Sequence, residues 1–236
     1  MFKRKIPIVK MENNDPPCYD GINEEFVDIS EYSNNRIKVQ MKYAEQKRQG
    51  SITVALARKS VVDKLLLALD LLPQGYTFKI FDAWRPYEVQ KSLYDEYFEK
   101  LKKENPLLTE EELHKLSREF VSFPDNTQLF SFVHSSGGAL DLTIVDENNA
   151  ELDMGTDFDD FSYLANTHAF EETDNDVVKE NRRLLYFAMT DVGFTNFPNE
   201  WWHYDYGDIF YSRMTGESVK YASVYSSNEM KIGVKL

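Results

Sequence analysis

At 236 residues the chain fits one ordinary domain, and its 42% apolar content, with 16 Phe, 14 Tyr and 3 Trp, supplies a sizeable core and excludes a disordered or low-complexity class. Forty acidic residues against 27 basic ones give a formal charge of -13, a balance that repels phosphate backbones and anionic lipid over a Debye length and argues against a nucleic-acid or membrane partner. The single cysteine, Cys18, makes no internal disulfide and suits a reducing compartment.

The opening MFKRKIPIVKMENNDPP is basic but lacks the apolar stretch of ~7–15 residues that a secretion signal requires, and no later run reaches spanning length. A cytoplasmic address is expected. Residues 1–57 mix charges, Asn-Asn, Pro-Pro and isolated hydrophobes without a sustained period, which reads as an irregular arm packed on a domain formed by 58–236, with one strand near 26–29. Ser60 with Asp63 resembles a capping box, and Val61, Val62, Leu65, Leu66, Leu69 and Leu72 recur at helical spacing until Pro73 stops them, predicting a helix over about 60–72. YTFKIFDAW at 76–84 is rich in β-branched and aromatic residues with alternating apolar positions and predicts a strand with Arg85 at its exit.

Pro86 suits a first helical turn, and Val89, Leu93, Tyr97 and Leu101 carry a second helix over 87–104 until Asn105-Pro106 ends it. Thr109 with Glu112 marks another capping box, opening a short charged helix that ends near Phe120. ALDLTIV at 139–145 predicts a strand, and the Asp-Glu-Asn-Asn turn after it predicts a partner strand around 151–154. Val177, Leu184, Leu185, Ala188 and Val192 mark a third strong helix with Gly193 in the left-handed position beyond it, and WWHYDY at 201–206 is β-prone. Segregated hairpin signals without regular βαβ alternation predict an α+β fold: a central antiparallel sheet flanked by helices.

Two of the four histidines stand beside carboxylates, in HSSGGALD at 134–141 and EWWH at 200–203. Zinc hydrolases take three ligands from His, Asp and Glu and leave a fourth position for water. His134, Asp141 and His203 can supply such a triad. On a strand over 139–145, Asp141 shares a face with Ala139, Thr143 and Val145, opposite Leu140, Leu142 and Ile144, while Gly137 and Gly138 let the backbone turn so that His134 folds back beside it. Glu200 and His203, three apart, fall on opposite faces of a regular strand, so a bulge, a loop entry or a helical turn is required to bring them together. His114 and His168 are read as solvent-facing or locally packed.

The blocks FDAWRP, HSSGGALDLTI, MGTDFDDF, ENRRLLYFAM, GFTNF and EWWHYDYGD, in that order between about Arg58 and Asp208, resemble the D-alanyl-D-alanine dipeptidase family, the VanX type of zinc peptidase with the hedgehog/D,D-peptidase fold. The resemblance implies one zinc ion per chain held by His134, Asp141 and His203, general-base duty for Glu200, oxyanion stabilisation by Arg85 and a substrate-cleft position for Asp159. A positioned carboxylate accepts a proton from water and delivers it to a leaving amine, and a guanidinium favours charge developing on a carbonyl oxygen. The implied reaction is hydrolysis of the small dipeptide D-alanyl-D-alanine, in cell-wall precursor turnover or glycopeptide resistance, with no obligatory protein partner. One departure is Phe132, where the family commonly carries Ser two residues before the first metal histidine. The alternatives are a D,D-carboxypeptidase or peptidoglycan peptidase acting on longer peptides, and a non-catalytic zinc-bearing binding module.

Overall fold

In the computed structural model, residues 4–9, 18–118 and 120–233 are described. The chain runs β1 (Phe26–Asp28), α1 (Ile29–Tyr32), β2 (Lys38–Val39), α2 (Lys42–Glu45), β3 (Leu56–Arg58), α3 (Lys59–Leu69), β4 (Thr77–Asp82), α4 (Tyr87–Glu104) and α5 (Glu110–Ser117). It continues through β5 (Ala139–Val145), α6 (Asp176–Thr190), β6 (Thr195–Asn196), β7 (His203–Asp205) and α7 (Ile209–Thr215). A five-stranded sheet has the order β2-β4-β5-β7-β6, and β1 pairs with β3 in a separate ribbon. The α+β class expected from the sequence holds. The sheet is antiparallel except at its edge, where the two-residue β2 runs parallel to β4.

The sheet buries Leu140, Leu142 and Ile144 of β5 and Phe78 and Ile80 of β4 in one cluster with Val61, Val62 and Leu65 of α3 and Leu185, Ala188 and Met189 of α6. Those helical residues recur at three- and four-residue spacing, the stripe that faces a core. The other face of β5 carries Asp141 and Thr143, also buried, and this polar face positions the site. Among the described residues no helix is long and apolar enough to cross a membrane.

Local signals were met unevenly. Thr109 and Glu112 form the reciprocal capping box at the start of α5, and Gly193 takes φ 94° beyond α6. At α3 the expected box is absent: Arg58 is the cap residue and makes no side-chain cap bond. Ser60 is diverted, its hydroxyl bonding that of Tyr221 and its amide donating to Glu24, while Asp63 accepts from Lys59 and Tyr32. The predicted strand over 151–154 shrinks to a bridge between Glu151 and Val145. Its place along β5 is taken from the far end, because the Leu142 amide already donates to the Trp202 carbonyl at 3.0 Å.

Part of the N-terminal segment, residues 1–3 and 10–17, lies outside the described residues. Of the remainder, Arg4 pairs with Asp191 at 2.6 Å and the buried Ile6 donates its amide to Glu171 at 2.9 Å. Residues 26–58 contribute β1 to β3 and two single-turn helices.

Candidate metal centre

Strand register builds the centre. Asp141 of β5 lies opposite His203 of β7 on one side and opposite Asp82 of β4 on the other. The second pairing requires a β-bulge, since Ile80 pairs with Leu142 and the next pair is Asp82 with Asp141, leaving Phe81 as the extra residue. A bulge re-aims the side chain that follows it, and here it turns Asp82 toward the row.

His134 arrives from a 3-10 turn over Val133–Ser136 that ends at Gly137, whose φ of 76° is left-handed. Gly138 follows under a separate constraint: a Cβ there would stand 2.6 Å from the Tyr206 carbonyl oxygen. The two glycines thus reverse the chain and seat it against β7, so that His134 Nε2 lies 3.3 Å from Asp141 Oδ2. His203 Nδ1 lies 2.9 Å from Asp141 Oδ1 and 3.3 Å from His134 Nε2. One ligand atom from each of the three residues falls within 4.8 Å of the others, and all three residues are buried.

Both imidazoles are held from behind. His134 Nδ1 donates to the Ala83 carbonyl at 2.8 Å, which leaves Nε2 its lone pair, and His203 Nε2 donates to Asp205 Oδ1 at 2.9 Å. Such outer partners fix the tautomer and aim the ligand nitrogen. Burial alone would raise the Asp141 carboxyl, but His134 and His203 outweigh it and hold it well below the usual range. Burial opposes charge on His203, but Asp205 and Asp141 reverse that and push the ring well above its ordinary value. The field that favours an imidazolium here also favours a divalent cation. Two imidazoles and a carboxylate are a donor set that suits zinc.

Glu200 stands in the turn that enters β7, not on the strand, with its Oε2 3.9 Å from His203 Nδ1. The parity difficulty is resolved by this loop entry, since the His203 amide bonds back to the Glu200 carbonyl at 3.4 Å. Burial, with Asp141 and Asp159 adding to it, pushes the Glu200 carboxyl up to about 8, against the pull of His203 and Arg85. A cation held by the three ligands would favour its ionised form.

Arg85 is 9% exposed. Its Nε donates to Asp82 at 2.7 Å, Nη1 to Gln90 at 2.7 Å and Nη2 to Asp141 at 3.4 Å, and its guanidinium lies 4.9 Å from the Tyr43 ring centre. Burial works against its charge, but Tyr43, Asp82 and Asp141 outweigh it and keep the group cationic. Asp159 adopts φ 62° and accepts from the Tyr43 hydroxyl at 3.1 Å. Burial and the Asp141 charge push its carboxyl up to about 7. Arg85, Gln90, Tyr43 and Asp159 line one cavity of about 1000 Å³ together with His134, Asp141, His203 and Glu200.

Phe132 is buried and also lines the cavity. Neither adjacent serine takes over a hydroxyl role there: the Ser131 hydroxyl serves the Asp125 amide, and that of Ser135 donates to the Phe132 carbonyl and Ser223. His114 packs locally against Tyr94 and Phe98, and His168 lies edge-on to Tyr163, so neither joins the centre.

Reading the sequence missed Asp82, Asp205, Tyr43 and Gln90. Asp205 had a usable signal, since residues two apart on a strand share a face and His203 lies two before it. Replacing Asp205 by alanine is expected to lower zinc affinity about 10–100-fold, read by competition with a chromogenic chelator. Unchanged affinity would remove Asp205 from this supporting role.

A family model described as D-ala-D-ala dipeptidase, of the M15 peptidases, matches residues 26–220. The D-alanyl-D-alanine dipeptidase of Synechocystis sp. is 30% identical over 163 residues, 62% of this chain and 66% of that protein. The protein of the same name from Escherichia coli is 40% identical over 72 residues, 30% of this chain and 36% of that one. The matches thus span just under two thirds of the first relative and about a third of the second. A solved structure of VanYB in complex with D-alanine-D-alanine superposes with a TM-score of 0.43 at 17% identity, covering 70% of this chain and 81% of that one.

Proposed function

Since the chain belongs to the D-ala-D-ala dipeptidase family of M15 peptidases, we propose that it hydrolyses D-alanyl-D-alanine to D-alanine with one zinc ion held by His134, Asp141 and His203. The observation that carries this reading is the buried cluster of those three residues within 4.8 Å, with Glu200 beside it. When bound, zinc supplies Lewis-acid polarisation of a carbonyl and lowers the pKa of water to about 7.

The chain's own residues carry the rest. Glu200 takes the proton of the attacking water on its carboxylate and returns it to the leaving amine, the two transfers amide hydrolysis needs. Arg85, kept cationic among Asp82, Asp141 and Tyr43, stabilises negative charge as it develops on the scissile carbonyl oxygen. Asp159, lining the same cavity, offers a carboxylate for the free amino end of a dipeptide. The single cysteine, Cys18, is exposed and free, which suits turnover of cell-wall precursors in a reducing cytoplasm.

The test is a zinc-loaded assay with D-alanyl-D-alanine and L-alanyl-L-alanine. D-alanine release from the first alone is expected, abolished by a chelator and restored by zinc. Protein that holds one zinc per chain yet releases alanine from neither dipeptide would overturn the reading.

A further inference from the structure

Asp159 reaches the cavity from a stretch with little regular structure of its own. Between Met154 and Asn166 the one regular element, among the described residues, is a 3-10 turn at Tyr163–Ala165, and Asp159 itself sits at φ 62°. A left-handed backbone at a residue with a Cβ persists only where its surroundings hold it.

The restraint comes from α6. Arg182 is 2% exposed, and its Nε donates to the Met154 carbonyl at 2.7 Å, Nη1 to the Asn166 carbonyl at 2.7 Å and Nη2 to the Leu164 carbonyl at 2.8 Å. One planar fork thus closes the two ends of the loop on each other. Its neighbour Asn181 donates to the Asp153 carbonyl at 2.8 Å, and the guanidinium lies 4.7 Å from the Phe170 ring centre.

This is not an ordinary ion pair. The next residue, Arg183, takes a carboxylate, Glu171, whereas the acceptors of Arg182 are neutral carbonyls. Burial draws its guanidinium down to about 10, against the pull of Tyr204, Asp153 and Asp160. A buried charge without a close counter-ion is unfavourable, so filling space does not account for it. What arginine supplies is a rigid set of donors that spans three separated carbonyls, which lysine and neutral side chains lack.

Inside the closed loop Phe158 packs against Phe81 at 5.2 Å and Trp202 at 5.4 Å between ring centres. The residue after it, Asp159, faces the cavity and accepts from the Tyr43 hydroxyl. Arg182 does not line that cavity. We propose that Arg182 is a positioning residue for Asp159, closing the 154–166 loop so that the carboxylate is held where the amino end of a dipeptide binds. The proposal rests on the peptidase reading above and adds to it the element that sets its amino-end contact. The Glu200 turn is tied separately, by Asn196 Nδ2 donating to the Glu200 carbonyl at 3.1 Å and the His203 carbonyl at 2.9 Å, so a loosened loop leaves the base and the ligands in place.

The test is a double-mutant cycle on zinc-loaded protein with D-alanyl-D-alanine. Asp159→Asn is expected to raise KM about tenfold through loss of a charge-assisted hydrogen bond. Arg182→Lys should raise KM by a similar factor with kcat within about threefold, a loss of binding rather than of chemistry. In the Asp159→Asn background it should add less than about twofold, because both changes act through one carboxylate. Amide exchange followed by mass spectrometry should quicken across 154–166 in Arg182→Lys, while α6 stays protected and zinc content is unchanged. Arg182→Gln, neutral and with two donors, gives the same readouts if lysine is poorly accommodated. Unchanged exchange in the loop, or KM effects that simply multiply in the double variant, would overturn the positioning role and leave the peptidase reading intact. Loss of zinc and kcat at native KM would make Arg182 a structural residue only. A native protein that hydrolyses no dipeptide, with the loop still loosened in the variant, would instead remove the peptidase reading and leave the loop restraint standing.

Discussion

Replacing Glu200 by glutamine is expected to lower kcat for D-alanyl-D-alanine by about 10²–10⁴-fold, the usual cost of losing a general acid–base group, while zinc content is retained. The two halves of this expectation separate base from ligand. Glu200 comes no nearer than 3.9 Å to His203 Nδ1 and is not part of the triad of His134, Asp141 and His203. Glutamine preserves its size and can still orient water through a hydrogen bond, but cannot take a proton. Because Glu200 lies in a turn and its side chain is 21% exposed, the substitution should leave the melting temperature close to that of the native protein. Metal analysis and turnover measured on the same sample check the assignment. Near-normal turnover, or loss of zinc together with activity, would remove Glu200 from the role of base.

Arg85 should show a double loss, in turnover and in stability. Removing one preorganised donor to a developing oxyanion typically costs about 10²–10³-fold in kcat. The same guanidinium also neutralises two carboxylates, Asp82 at 2.7 Å and Asp141 at 3.4 Å, both 2% exposed. Breaking a buried pair by removing one partner leaves an uncompensated charge and costs about 3–5 kcal/mol. Arg85→Met is therefore expected to unfold at markedly lower urea, and where it remains folded to turn over slowly.

Arg85→Lys keeps the charge but cannot reach Asp82, Asp141 and Gln90 at once, because it lacks the planar fork. It should recover much of the stability and less of the rate. A lysine variant with native kcat, or a methionine variant that is destabilised but fully active, would reduce Arg85 to a structural role.

The elements visible in the sequence were those whose cause is local. The apolar stripe of α3, the terminators around α4, the Thr109–Glu112 box and the alternation of β5 each depend on residues within one or two turns of one another, so their period or cap chemistry is written in a short window. The candidate metal triad was visible in part for the same reason, as histidines set close to carboxylates in two short blocks. The roles proposed for Glu200 and Arg85 came from the resemblance of whole blocks to a family, and spacing could not have supplied them.

What lay outside any short window depended on pairing between distant segments. Asp82 enters the site through a bulge that exists only against β5, and the expected strand over 151–154 is displaced by Trp202, about fifty residues further on. Tyr43 meets Asp159 across 116 positions of chain. Ser60 gives up its cap because Tyr221 and Glu24 offer better-placed partners. Arg182 meets the carbonyls of Met154, Leu164 and Asn166 from 16 to 28 positions further along the chain, a convergence with no linear signature at all. The composition and the two ligand blocks specified a folded domain able to gather a zinc donor set. The shape and charge of the cavity around that centre arose only on folding, because register, bulges and surface potential are properties of strands and helices brought together, and no residue carries them alone.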